Sequence, residues 1–300
     1  MTRSARDLAI VLGGGGNRAF YQQGLLEAWG DMLWPRVGAV ASVSGGAAIA
    51  VLILCGRLER TGQYWRALRR GVRRNIDPLQ ALMGSPIAPH GEIYRSALFY
   101  ALCGGGFETL RTLPFPVYVL CARPPSGLPI ALSIVAALGL SLLERTTRVG
   151  VPHATWAKAA GFSAFSMDLR SCHSPNEVVD LVLSSSAVPP FVPVGMFRKQ
   201  RLLDGCIIDN APAFLAEQGA VSRTLVLLTH HAHGHLRVRG SRLYVGPSER
   251  VPVAALDYTE GAPIEESVAL GRRDAERYAL QLQRWLADGP PGPNDVTECG

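Results

Sequence analysis

The sequence predicts a single α/β domain built on a mainly parallel sheet, and three observations carry that reading. Two apolar runs, residues 8–12 and 37–43, each end in a glycine-bracketed turn that opens a helical pattern: Gly13-Gly14-Gly15-Gly16-Asn17-Arg18 and Ser42-Val43-Ser44-Gly45-Gly46. Strand, turn and helix repeated in this way form a βαβα start, with the turns at the carboxyl ends of parallel strands, where open α/β sheets hold their sites. A third apolar run, Leu202-Leu203-Asp204-Gly205-Cys206-Ile207-Ile208, again reaches an acid and a glycine. The chain has 300 residues, of which 48% are hydrophobic, enough to enclose a large core.

In chain order, the strand at 7–12 leads through the glycines to a helix over about 17–31, whose Phe20, Leu25, Leu26 and Trp29 fall on one stripe. The strand at 37–43 leads to a helix over 45–56. Residues 57–112 read as helical and basic, interrupted by Pro78, Pro86, Pro89 and Gly104-Gly105-Gly106, before a strand at 117–122. The stretch 123–165 is the least regular and reads as an apolar insertion. After it come a helix at 175–185, a strand at 201–208 that presents Asp204, a helix at 212–219, a strand at 224–228 and a long helix at 264–287. The domain is thus expected to span 1–288, and Gly289-Pro290-Pro291-Gly292-Pro293 opens a tail, 289–300, expected to be disordered. No internal repeat is visible.

Composition narrows the function classes. Charged residues are 18% of the chain, a low share, and the net charge is +6. The positive charge concentrates in Trp65-Arg66-Ala67-Leu68-Arg69-Arg70-Gly71-Val72-Arg73-Arg74, a stretch that reads as a solvated helix face or as a contact for an anionic lipid surface. No aromatic-interleaved or finger-type motif accompanies it, which argues against nucleic acid. Six cysteines, at 55, 103, 121, 172, 206 and 299, have no paired spacing and read as buried thiols of a reducing compartment, hence a cytoplasmic protein, for which the basic stretch leaves peripheral membrane contact open. The polar start and short apolar run that follows it are too brief for a secretory segment. Two uncharged stretches approach membrane length. Residues 37–56 contain the second turn and read as strand plus helix; 124–143 is borderline for a span, but its prolines and glycines favour a buried element or an interfacial segment over a transmembrane helix.

The turns carry the chemistry. Glycines directly after a strand free backbone N–H groups to face an anion or oxyanion. A serine between small residues at a strand-to-helix corner holds a hydroxyl exposed, the geometry of a nucleophile. Ser44 occupies that corner, and acyl transfer through serine is the reaction class that the two turns suggest together. A nucleotide-binding reading of the glycines fails on two counts, since no G-K-[ST] follows them and the second strand ends at Val43-Ser44 rather than at an acid that could take a ribose. His230, His231, His233 and His235 lack the helical spacing and the partnering acid or cysteine of a zinc site, so no metal is expected, and no acidic loop calls for calcium.

Taken in order, the motifs resemble those of the patatin-like phospholipase family: Gly14-Gly15-Gly16-Asn17-Arg18-Ala19 for G-G-G-x-R-G, Ser42-Val43-Ser44-Gly45-Gly46 for G-x-S-x-G, and Asp204-Gly205-Cys206 for D-G-[GA]. The run Ser184-Ser185-Ser186-Ala187-Val188-Pro189-Pro190 matches the small-residue and proline segment that precedes the aspartate strand. The resemblance spans roughly 7–230 and implies a three-layer α/β/α domain with a nucleophile elbow. It implies Ser44 as nucleophile, Asp204 as general base without an intervening histidine, and an oxyanion hole from the amides of Gly14, Gly15, Gly16 and Gly45. Arg18 supports the loop, either bracing its carbonyls or clamping a phosphate. Asp209 is a competing carboxylate, more simply a brace for the following helix through Asn210. The implied activity is lipid acyl-ester hydrolysis, phospholipase A in type, on a phospholipid or other acyl-ester lipid, with no cofactor. An acyltransferase on the same dyad and a catalytically silent membrane-surface protein are the alternatives. The last draws on the enlarged 123–165 segment and on two departures: Ser42 stands where the family places a glycine, and Cys206 where it places glycine or alanine, a problem if that position needs a positive φ.

Overall fold

The computed structural model describes residues 6–76, 90–127, 129–136, 139, 156–189, 191–231 and 236–287. Five parallel strands form the centre of its sheet: β1 (Leu8–Leu12), β2 (Val37–Val43), β3 (Val117–Arg123), β7 (Arg223–Leu227) and β9 (Arg242–Val245), in the order β3-β2-β1-β7-β9. Both margins are antiparallel. β8 (Leu236–Arg239) pairs with β9 at one side; β4 (Ser163–Asp168) and the hairpin of β5 (Gly195–Phe197) and β6 (Gln200–Asp204) pair at the other.

β1 is apolar at all five positions, and its neighbours are mostly so, because both faces of the sheet are covered. Leu8, Ile10 and Leu12 point into one core, and Ala9 and Val11 into the other. The larger core is roofed by α1 (Phe20–Leu33), α2 (Gly45–Leu54), α3 (Leu58–Arg69), α4 (His90–Leu102), α5 (Gly106–Arg111), α7 (Pro175–Ser185) and α9 (Ile264–Ala287). The opposite face is thinner, covered by α8 (Ala213–Ala216) and by Ile130, Ile134, Ala157 and Phe162 from the stretch around α6 (Trp156–Ala159). The result is a three-layer α/β/α arrangement with unequal layers.

Local chemistry explains several boundaries. α7 starts where the Ser174 hydroxyl accepts from the Glu177 amide and Pro175 takes the first helical position, the two residue types suited to those places. β1 is fastened at its start by Asp7, whose carboxylate takes two hydrogen bonds from Arg36, at 3.0 and 2.7 Å, while Arg36 also donates to the Leu286 carbonyl at 3.0 Å. α1 packs along α9, where Trp29 Nε1 donates to the Ala275 carbonyl at 3.1 Å.

Most predicted elements recur within a residue or two, and the helix at 264–287 does so end to end. The helix expected at 17–31 is preceded by a 3-10 turn over Gly16–Ala19 and runs on to Leu33. The strand expected at 201–208 stops at Asp204 and turns into a 3-10 segment, Gly205–Ile207, while the helix expected at 212–219 keeps only Ala213–Ala216. β4 and β5 went unread because their residues are polar or few. The stretch 37–56 is strand plus helix, as expected. Of 124–143, residues 128, 137, 138 and 140–143 lie outside the described residues, as do 232–235 of the histidine run, Cys299 and the tail from 288. Among the described residues no helix is long and apolar enough to cross a membrane. Cys55, Cys121 and Cys172 are buried, Cys103 and Cys206 half-buried, and all five are free thiols. Arg69 departs from the reading of the basic stretch: it is 3% exposed and donates to the carbonyls of Thr259 and Ala262. Its neighbours Arg66, Arg70, Arg73 and Arg74 are exposed.

Candidate active site

Strand β3 is the template on which the site is assembled. Along one edge it pairs with the whole of β4, from Tyr118 opposite Asp168 to Arg123 opposite Ser163. A strand has only two edges, so β2 and β6 share the other. β2 pairs with 117–120 and β6 with 121–122, and the two strands run toward each other until Val43, opposite Leu120, meets Asp204, opposite Cys121. Residues 160 positions apart in sequence are thereby brought to one point: Ser44 Oγ donates to Asp204 Oδ2 at 2.8 Å.

Ser44 turns the chain out of β2 and into α2 with φ 52° and ψ −128°, a conformation costly for a residue with a side chain, by about 1–3 kcal/mol. The turn closes because Gly45 follows; a Cβ there would overlap the Gly16 carbonyl. Ser44 sits at the N-terminus of α2, whose unpaired amides and dipole favour negative charge. Asp204 is held from its own side. Its Oδ1 accepts from the Cys206 amide at 2.7 Å, and its backbone amide donates to the Ala187 carbonyl at 3.0 Å, leaving Oδ2 for Ser44. Both residues are buried, Ser44 at 6% exposure and Asp204 at 7%.

The glycine loop is held from four sides. The Gly13 amide donates to the Leu227 carbonyl and the Gly14 amide to the Asn210 carbonyl, both at 3.0 Å. Thr229 Oγ1 donates to the Gly14 carbonyl at 2.6 Å, and Gln22 Nε2 to that of Gly13 at 2.9 Å. Gly14 therefore departs from its expected role, since its amide is occupied within the loop. Among the described residues, no hydrogen bond takes up the amides of Gly15, Gly16 or Gly45, and these three glycines border the cavity that contains Ser44. Arg18 Nε donates to the Gly15 carbonyl at 3.3 Å and its Nη1 reaches His230 Nδ1 at 3.4 Å, so the guanidinium braces the loop from the cavity side.

That cavity measures about 520 Å³. Its polar floor is Ser44, Asp204 and the glycine loop; its walls are apolar, with Ile49 and Leu52 from α2, Trp65 from α3, and Tyr94 and Leu98 from α4. An apolar chamber with few convergent polar groups suits a ligand that is mostly hydrocarbon with one reactive polar function.

The departures from the motif cause no strain. Ser42 is fully buried and its hydroxyl donates to the Tyr118 carbonyl of β3 at 3.1 Å, so the extra side chain is absorbed by the neighbouring strand. Cys206 lies in the 3-10 segment after Asp204 and is not among the residues of positive φ, so the position makes no demand for glycine. Its thiol is pushed well above the ordinary range by burial and by the nearby Asp204 carboxylate. Asp209 is not a rival for Ser44: its Oδ1 accepts from the Ala211 amide at 2.8 Å in a turn. His231 Nδ1 lies 3.1 Å from the Pro247 carbonyl.

The family model of the patatin-like phospholipases matches residues 10–217, which include the glycine loop, the elbow and the aspartate. The chain belongs to the patatin-like phospholipase family. Its mixed sheet with a parallel centre and helices on both faces is the patatin fold. Among curated proteins none matches. Among solved structures, VipD from Legionella pneumophila aligns at 11% identity and a TM-score of 0.44, covering 93% of this chain and 67% of its own. Human GIVD cytosolic phospholipase A2 aligns at 13% identity and a TM-score of 0.46, covering 94% of this chain and 62% of its own. The chain thus spans about two thirds of the length of these two solved structures.

One participant escaped the reading of the sequence. Ser185, noted only as part of a serine run, lies at the junction of β2, β3 and α7 and contacts the backbone of Ser44.

Proposed function

We propose that this chain is a serine lipid acyl hydrolase, of phospholipase A or acyl-ester hydrolase type, working through a Ser44–Asp204 dyad. The observation that carries the reading is the 2.8 Å hydrogen bond from Ser44 Oγ to Asp204 Oδ2 at the floor of an apolar cavity. A serine hydroxyl needs a base within such reach, and a carboxylate away from bulk water is the stronger base.

Ser44 Oγ attacks the ester carbonyl carbon as its proton passes to Asp204. The amides of Gly15 and Gly16, with that of Gly45, receive the oxyanion; a donor of this kind is worth about 3 kcal/mol in other serine enzymes. The tetrahedral adduct collapses, the C–O bond to the alcohol breaks, and the alcohol leaves with the proton from Asp204. Water then gives a proton to Asp204 and attacks the acyl-enzyme, the fatty acid departs, and Ser44 regains its proton. The acyl chain occupies the apolar walls, and the exposed arginines at 66, 70, 73 and 74 supply peripheral contact with anionic lipid.

The test is intact-mass spectrometry after exposure to a fluorophosphonate. Wild type should carry one adduct, Ser44→Ala none, and Asp204→Asn should label far more slowly. A folded wild-type chain that takes no adduct overturns the reading in favour of a silent patatin fold. Product analysis with and without an added acceptor alcohol separates hydrolysis from acyl transfer.

A further inference from the structure

The backbone of the elbow is completed by a side chain. In the β2–β3 ladder the Val40 amide donates to the Pro116 carbonyl at 2.9 Å, and parallel pairing repeats every second residue. The next rungs are Ser42 to Tyr118 and Ser44 to Leu120. At the last of these the chain has already left the strand, and the Ser185 hydroxyl is inserted in the gap. It accepts from the Ser44 amide at 2.8 Å and donates to the Leu120 carbonyl at 2.6 Å. Ser185 is fully buried at the end of α7, so the hydroxyl is out of contact with bulk water.

We infer that Ser185 is a positioning residue for the nucleophile, and the inference rests on the Ser44–Asp204 reading. A direct Ser44–Leu120 hydrogen bond would draw residue 44 back into the strand and take Oγ away from Asp204. The inserted hydroxyl widens that rung, satisfies both backbone groups and holds Ser44 at its positive φ, where the side chain points at the end of β6. A strained backbone persists only where its surroundings over-determine it, and Ser185 is the buried group that does so from the β3 side. The hydroxyl couples the elbow to α7, and two residues further along the same chain the Ala187 carbonyl accepts from the amide of Asp204, the second member of the dyad. Both reacting residues thus take their backbone placement from 185–187.

The test compares Ser185→Thr, which keeps the hydroxyl, with Ser185→Val, which has the same shape without it, and Ser185→Ala, which leaves room for a smaller packing change. Fluorophosphonate labelling rates, kcat and KM on a p-nitrophenyl acyl ester, and Tm are measured for each. The expected result is that Val and Ala label roughly ten- to hundredfold more slowly and lose kcat with KM little changed, while Thr stays within about threefold of wild type. If Val does not fold, Ala against Thr makes the same comparison. Labelling of both hydroxyl-free variants at the wild-type rate overturns the role of Ser185 and leaves the dyad standing. Failure of wild type to label overturns both.

Discussion

Gly45 and Gly16 lie back to back, so close that a Cβ on Gly45 would overlap the Gly16 carbonyl oxygen and stand 2.9 Å from the Gly16 amide nitrogen. This contact joins the elbow to the glycine loop, and two turns thirty residues apart in sequence form one rigid wall of the cavity. Gly45→Ala is therefore expected to push the loop out of place even though alanine suits a helix start. Labelling by fluorophosphonate should fall at least tenfold with far-UV circular dichroism unchanged. Gly16→Ala adds the cost of a side chain at φ 58°, roughly 1–3 kcal/mol, and should lower Tm as well.

Cys206 gives a prediction of the opposite sense. It needs no positive φ, so Cys206→Ala should fold and retain at least half of the wild-type labelling rate. In the native wild type its thiol, raised by burial and by the Asp204 carboxylate, stays protonated at neutral pH and should react with iodoacetamide far more slowly than in urea. Peptide mapping after timed alkylation checks this; rapid native modification of Cys206 at pH 7 would contradict the burial.

The cavity walls set a third expectation. Leu52 stands two turns along α2 from Ser44, at the apolar end of the chamber. Leu52→Trp shortens the space for a chain. Each methylene kept out of the cavity forgoes about 0.8 kcal/mol, roughly fourfold in kcat/KM. Long acyl esters should lose progressively more activity than short ones in a chain-length series, and a uniform loss across the series would place the hydrocarbon elsewhere.

Asp7 contributes one acid-side part of the pH dependence of stability. The paired Arg36 holds its carboxyl below the ordinary carboxylate range, despite partial burial. A depressed folded pKa stabilises the native state above the unfolded value of about 3.9, and the contribution is lost as pH falls through the folded value. Asp7→Asn should cost roughly 1.5 kcal/mol in urea unfolding at pH 7, and the gap from wild type should close below about pH 4.

How much was legible follows from what each residue asks of its neighbours in sequence. Ser44, Asp204 and the glycines could be read because each sits where an apolar run breaks at residues of special backbone freedom, a local signal. The meeting of β2 and β6 on β3 is not local; it depends on β4 filling the other edge, and in Ser163-Ala164-Phe165-Ser166-Met167-Asp168 only Phe165 and Met167, set against Ser166 and Asp168, alternate, too short a pattern to announce a strand. For the same reason Ser185 was one serine among three, with nothing in its neighbours to single it out. Gly14 looked like an amide donor because the glycine run is uniform in sequence, and only the Asn210 carbonyl, near the site of Asp204, distinguishes it from Gly15 and Gly16.

Arg69 decides how the basic stretch must be probed. Its guanidinium lies inside, against the Thr259 and Ala262 carbonyls, and burial lowers its pKa. A carboxylate at 69 would face those carbonyls out of water, so Arg69→Glu should unfold this corner and lose vesicle binding for a reason unrelated to lipid. The exposed pair is the informative one. At about 1 kcal/mol per basic residue near an anionic surface, Arg70→Gln with Arg73→Gln should weaken binding to phosphatidylserine vesicles roughly thirtyfold while Tm stays within a degree or two of wild type. Flotation at two salt concentrations measures it: the loss should shrink as salt rises and screens the arginines that remain in wild type. Equal binding by the double variant and wild type at low salt would move the lipid contact to another face of the molecule.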